Sequence, residues 1–110
     1  MIRASCVCGQ SVFALVVDAD EGCAQRACTC CRRTHFVCDS GEYWEDAEPE
    51  NFVCRCGSSS FELAVAFSHG NHTTVKWITV GNRCTKCGIL GSAVDWKVDY
   101  EPTAHLYNEV

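Results

Sequence analysis

At 110 residues and a formal charge of −5, the chain has room for one ordinary domain or two very small ones, and little basic surface for nucleic acid. Its 11 cysteines reach a density that, in a short secreted chain, marks a disulfide scaffold. Three features oppose that reading. MIRASCVCG lacks an apolar leader-like stretch, the count is odd, and cysteines one or two residues apart cannot meet bridge geometry. The expectation is a reducing, cytoplasmic setting. VFALVV, an apolar run, is far short of the roughly 20 residues that span a bilayer, so no membrane partner is expected.

In chain order, the first element is a C-x-C-G turn at Cys6, Cys8 and Gly9. Such a turn lets two thiolates converge on one ion from a single bend, and a glycine after it accepts the positive φ that the bend requires. Phe13, Leu15 and Val17 follow at every second position, the signature of a half-buried strand. DADEGCAQ then reads as a turn with little strand after it, leading to CTCC at 28–31. There Cys28 and Cys31 would complete the first ligand set, with Cys30 as an alternative. Acidic EDAEPEN, with Pro49 and no apolar periodicity, reads as a linker.

Residues 54–65, CRCGSSSFELAV, restate residues 6–17, CVCGQSVFALVV, at a constant offset of 48. The closing knuckles repeat at an offset of 56, with Cys84, Thr85 and Cys87 on Cys28, Thr29 and Cys31. An internal repeat decides the architecture before any single element does. Phe61 to Phe67 and TTVKWITV at 73–80 make a hairpin closed by RCTKCG. A third strand after each closing knuckle is expected to end in an aromatic packed on the metal, with Cys38 aligned to Val94 and Trp44 to Tyr100. The tail EPTAHLYNEV fits either a last helical turn or a disordered end.

The expected fold is therefore small, all-β and metal-dependent: two tandem zinc ribbons, each a three-stranded antiparallel sheet with two cysteine knuckles. The first would span 1–45, the linker 46–52, and the second with its tail 53–110. Two zinc ions are expected, one on Cys6, Cys8, Cys28 and Cys31 and one on Cys54, Cys56, Cys84 and Cys87, with iron the competing metal. Each four-thiolate zinc carries about −2, taking the chain to roughly −9 and further from nucleic acid. The second set, with its clean spacing and longer hairpin, reads as the structural anchor. Among the remaining candidates, Cys23, Cys30, Cys38 and His35 could hold a further ion, although buried cysteine is commonly core. His69 and His72 form an H-x-x-H pair at the hairpin tip.

The chain resembles double zinc-ribbon proteins of the rubredoxin-like type over nearly its whole length. Its opening Cys6, Cys8, Gly9, Val12 and Phe13, with Cys84, Cys87 and Gly88, also resemble part of the glutathione-dependent formaldehyde-activating enzyme family. That family's middle motif fails at ACTCCRR, and CRCG at 54–57 has no place in its pattern. The favoured functional expectation is a non-enzymatic protein that binds another protein, such as a basic toxin domain neutralised by an acidic immunity-type inhibitor. Glu42, Trp44, Glu45, Asp46 and Glu48 are the candidate contact residues. A zinc enzyme akin to the formaldehyde-activating family and a nucleic-acid-binding ribbon are the alternatives.

Overall fold

The computed structural model describes residues 1–70 and 74–110. Among these, eight strands form one antiparallel sheet: β1 (Ile2–Arg3), β2 (Phe13–Asp18), β3 (Cys23–Cys28), β4 (Thr34–Phe36), β5 (Glu50–Asn51), β6 (Phe61–His69), β7 (Val75–Cys84) and β8 (Leu90–Lys97). The path runs β4-β3-β2-β6-β7-β8, with β1 added to β6 and β5 to β2. The three-stranded ribbons expected from the sequence are therefore merged into one sheet.

The reason for the merger lies at Phe13. Its backbone pairs antiparallel with that of Phe61, its own counterpart in the other repeat. An antiparallel pair of equivalent residues places a local two-fold axis between them, so whatever one repeat contributes the other must return. The leading strands obey that rule. In β1, Ile2 and Arg3 pair with Val65 and Ala64; in β5, Glu50 and Asn51 pair with Val17 and Val16. One residue further on, the Ala4 N–H donates to the Leu63 carbonyl at 2.9 Å and the Phe52 N–H to the Leu15 carbonyl at 2.8 Å. Each repeat thus lends its first strand to the other's hairpin. Part of the acidic stretch expected to be a linker is consequently strand β5.

Alternation fixes which face is buried. Phe13 and Leu15 on β2, and Phe61, Leu63 and Val65 on β6, point inward with Ile78 and Val80 of β7 and Val94 and Trp96 of β8. The buried side chains form a single cluster drawn from both repeats. β3 is a full six-residue strand where little strand was expected. Its inward positions are Ala24, Arg26 and Cys28, side chains too short or too polar to register as an apolar stripe.

The repeats diverge after their closing knuckles. Arg26 pairs with His35 and Asn82 with Gly91, which keeps the offset of 56. A bulge between Val80 and Gly81 then adds a residue to β8. Beyond it Val37, whose N–H donates to the Ala24 carbonyl, takes the place that Val94 holds opposite Val80, and the expected Cys38–Val94 equivalence slips by one. β4 stops at Phe36, and the chain turns through Cys38, at φ 55, into 3-10 helices at Ser40–Glu42 and Trp44–Asp46. Trp44 therefore ends no strand; it lies against Phe36 with ring centroids 5.2 Å apart.

A buried polar cross-link joins the repeats. Asp39 accepts the Trp96 indole N–H at 3.0 Å and the Tyr100 hydroxyl at 2.7 Å, one on each carboxylate oxygen. The tail forms a 3-10 helix, Ala104–Asn108, with Leu106 fully buried. It docks on the first repeat, where Cys38 donates its N–H to the Glu109 carbonyl at 2.8 Å. No helix among the described residues is long and apolar enough to cross a membrane.

Candidate metal centres

The two opening knuckles are built alike. Cys6 and Cys54 each donate an N–H four residues ahead, to Gln10 and Ser58, both at 2.8 Å. Their carbonyls accept from Gly9 and Gly57, which share φ 93. That conformation is strained for any residue with a Cβ, which explains the glycine. In the closing knuckles, the hydroxyls of Thr29 and Thr85 donate to the carbonyls of Val12 and Ser60 at 3.0 and 3.1 Å. These bonds tie each closing turn to the segment just before its own first hairpin strand. Gly88 sits at φ 76; Arg32, its counterpart, adopts φ 68 despite its side chain.

The knuckles bring together two groups of four thiols, Cys6/Cys8/Cys28/Cys31 and Cys54/Cys56/Cys84/Cys87, each with all Sγ atoms within 4.8 Å of one another. Within them, Cys6 and Cys31 Sγ are 3.4 Å apart, and Cys8–Cys28, Cys54–Cys87 and Cys56–Cys84 are each 3.6 Å apart. Four thiolates at about 2.3 Å from a tetrahedral zinc would stand about 3.8 Å apart, so these thiols need only small adjustments to receive an ion. Cys28 pairs with Phe13 and Cys84 with Phe61, so the clusters flank the two-fold axis along one row of the sheet.

Backbone N–H groups supply part of the charge compensation. The Cys31 N–H, helped by that of Cys30, pulls the Cys28 thiol down to about 6 against the opposing effect of burial. The Cys87 and Lys86 N–H groups do the same for Cys84, also to about 6.

The structure resolves the ambiguity in CTCC: Cys31 belongs to the first group, and Cys30 stands outside it, exposed. The residues considered for a third ion are not gathered. The His35 Nε2 pairs with the Glu109 carbonyl at 2.9 Å, the Cys38 thiol faces the Leu106 carbonyl, and Cys23 is buried opposite Asp18. Burial raises the Cys23 thiol to about 11 and the Cys38 thiol to about 12, so both behave as core side chains. His69 bonds the Tyr107 hydroxyl, while His72 lies outside the described residues.

Candidate contact residues border two recesses. Asp46 and Glu48 line a groove of about 710 Å³ together with Asp18, Asp20, Glu21 and Glu50. Glu42 borders a separate recess with His35 and His105, and Trp44 is half-buried. Within the groove, the Asp18 carboxylate accepts the N–H groups of Glu48, Asp20 and Glu21, which hold it below the usual carboxylate range. The sequence reading missed the β2–β3 turn as part of this surface; its acidic run DADE was the available signal. It also missed Arg26 and Asp39, whose roles depend on partners far away in sequence.

No known protein family, curated protein or solved structure matches the chain.

Proposed function

We propose that each four-thiol cluster holds one structural zinc ion and that the protein is a non-enzymatic, metal-stapled scaffold that binds a basic protein. The carrying observation is that both clusters are complete sets of four protein thiols. Zinc held by four thiolates has no open position for water or substrate, which favours a scaffold over catalysis. Soft thiolates favour zinc or iron over hard divalent ions, and the two are told apart by absorption edge. Structural zinc contributes roughly 10–16 kcal/mol of apparent binding free energy, comparable to the stability of a whole domain.

The partner reading rests on charge. With two zinc–tetrathiolate centres the chain carries roughly −9, and six carboxylates line the groove at the β2–β3 turn. An inhibitor that covers a basic toxin surface would use a face of this kind. Titration of the zinc-loaded protein with an oligolysine peptide, followed by amide chemical shifts, is expected to perturb Asp20, Glu21 and Glu48 first. Asp20→Lys combined with Glu48→Lys should weaken binding at least about tenfold and flatten its salt dependence. Binding that ignores both salt and charge reversal would exclude the reading.

A further inference from the structure

Among the described phenylalanine, tyrosine and tryptophan residues, only Trp77 is exposed, at 40 %. An indole left in solvent is a large apolar face with no packing partner, and tryptophan is enriched among the residues that anchor interfaces. Trp77 lies on β7 opposite Lys97 of β8, and both border a recess of about 510 Å³. Asp95, Trp96 and Lys97 line that recess as consecutive residues, so it follows the outer edge of β8, the last strand of the sheet path. The β2–β3 turn, Tyr43 and Asp99 complete the lining.

The walls are held by their own bonds. In the turn, the Asp20 and Glu21 N–H groups donate to the Asp18 carboxylate at 2.9 and 3.1 Å, and the Gly22 N–H donates to the Asp18 carbonyl at 2.9 Å. The turn presses directly on β8, since a Cβ on Gly22 would stand 2.6 Å from the Trp96 Cβ. Trp96 is in turn fixed by its indole bond to Asp39. A recess whose walls are already ordered loses little entropy when it is filled.

Its charge is one-sided. Asp20, Glu21, Asp95 and Asp99 set four carboxylates against the single ammonium of Lys97. The ion pair found among the described residues is Arg3–Glu62, so none of these carboxylates is bridged to Lys97. The negative field reaches the Tyr43 hydroxyl, which burial first, and then the Asp39, Glu42 and Asp99 carboxylates, hold above the ordinary phenol range. A cation over an aromatic face gains roughly twofold in affinity at an exposed ring and about thirtyfold at a desolvated one.

We propose that this recess is the anchor site for the basic partner, taking one long cationic side chain with its head over the Trp77 ring and its charge met by the carboxylates of β8 and of the β2–β3 turn. The turn is common to both surfaces, because Asp20 and Glu21 also line the acidic groove. The groove then supplies attraction at a distance, and the recess supplies the buried contact.

The inference rests on the basic-partner reading above, and its test separates the two. The zinc-loaded full chain is titrated with an oligolysine peptide and with the same peptide acetylated on every Nε, and the Trp77 indole N–H resonance is followed. The charged peptide is expected to shift that resonance together with the amides of Asp95 and Asp99; the acetylated one, which keeps the stem and loses the charge, should not. Trp77→Ala should weaken binding at least about threefold, and Trp77→Phe, which keeps a ring face, should recover most of the loss. Asp95→Asn combined with Asp99→Asn, both at exposed positions, is the second variant and should weaken binding by a similar factor. If Glu48→Lys weakens binding while Trp77→Ala leaves it unchanged, the peptide sits in the groove alone; the inference is then overturned and the partner reading stands. Equal binding of the acetylated peptide would also overturn it. An oligolysine peptide that does not bind, or binds without regard to salt, would overturn both.

Discussion

Phe13 pairs through its backbone with Phe61, the residue at the same place in the other repeat, and both side chains are completely buried. That pair sits on the two-fold axis and between the two four-thiol clusters. Replacing either phenylalanine by alanine is expected to cost about 3–5 kcal/mol. Because the two share one core, the double variant should cost measurably less than the sum. Urea unfolding of the zinc-loaded protein checks both; strict additivity would mean that the repeats do not share this core.

Strand exchange makes a prediction that independent ribbons do not. Ala4 donates its N–H to Leu63, so Ala4→Pro removes a bond from the second repeat's hairpin. Amide hydrogen exchange is expected to quicken along β6, more than along β2. Phe52→Pro should do the reverse, opening β2 through Leu15. Loss of protection confined to the repeat that carries the substitution would contradict the exchange.

Arg32 and Gly88 occupy the same left-handed turn, at φ 68 and 76. A side chain there costs about 1–2 kcal/mol, so Arg32→Gly is expected to stabilise the protein by about 1 kcal/mol and Gly88→Arg to destabilise it by a similar amount. Gly22 is less forgiving. At φ 75 a Cβ there would stand 2.6 Å from the Trp96 Cβ, so Gly22→Ala should lower the melting temperature by several degrees.

Tyr100 links stability to alkaline pH. Burial first, and its hydrogen bond to Asp39 second, push its hydroxyl above the ordinary phenol range. A folded-state pKa above the unfolded value near 10 contributes stability that is complete below pH 10 and declines as pH rises beyond it, because the unfolded chain then releases a proton that the folded one retains. Tyrosinate absorbance of the native protein should show Tyr100 titrating last. In Asp39→Asn the carboxylate charge that opposes phenolate is gone, and Tyr100 should titrate at lower pH. An unchanged titration would remove Asp39 from the explanation.

The three cysteines outside the four-thiol clusters should separate cleanly by reactivity. Cys30 is exposed, whereas Cys23 and Cys38 are buried with thiols held at about 11 and 12. Brief iodoacetamide treatment of the zinc-loaded protein, read by peptide mass spectrometry, is expected to label Cys30 and spare the other two.

The knuckles were legible because they are local: Cys6 to Gly9 and Cys54 to Gly57 form the same turn from the same four-residue pattern. So was the inward alternation of Phe13 and Leu15 and of Phe61, Leu63 and Val65. The strand exchange was not legible. Ile2–Arg3 and Glu50–Asn51 are two-residue strands, too short for any periodicity, and the repeat they join is not encoded in their own residues. The slip after Val80 was hidden for a similar reason, since a bulge changes pairing without changing composition. Arg26 escaped notice because a charge in a strand reads as outward-facing until its surroundings are known.

Zinc K-edge X-ray absorption combined with elemental analysis on the purified full chain tests the two metal centres most directly. The expected result is two zinc ions per chain, each with four sulfur neighbours at about 2.3 Å. A single ion, or nitrogen or oxygen in the first coordination sphere, would contradict the assignment of eight cysteines to two closed structural sites.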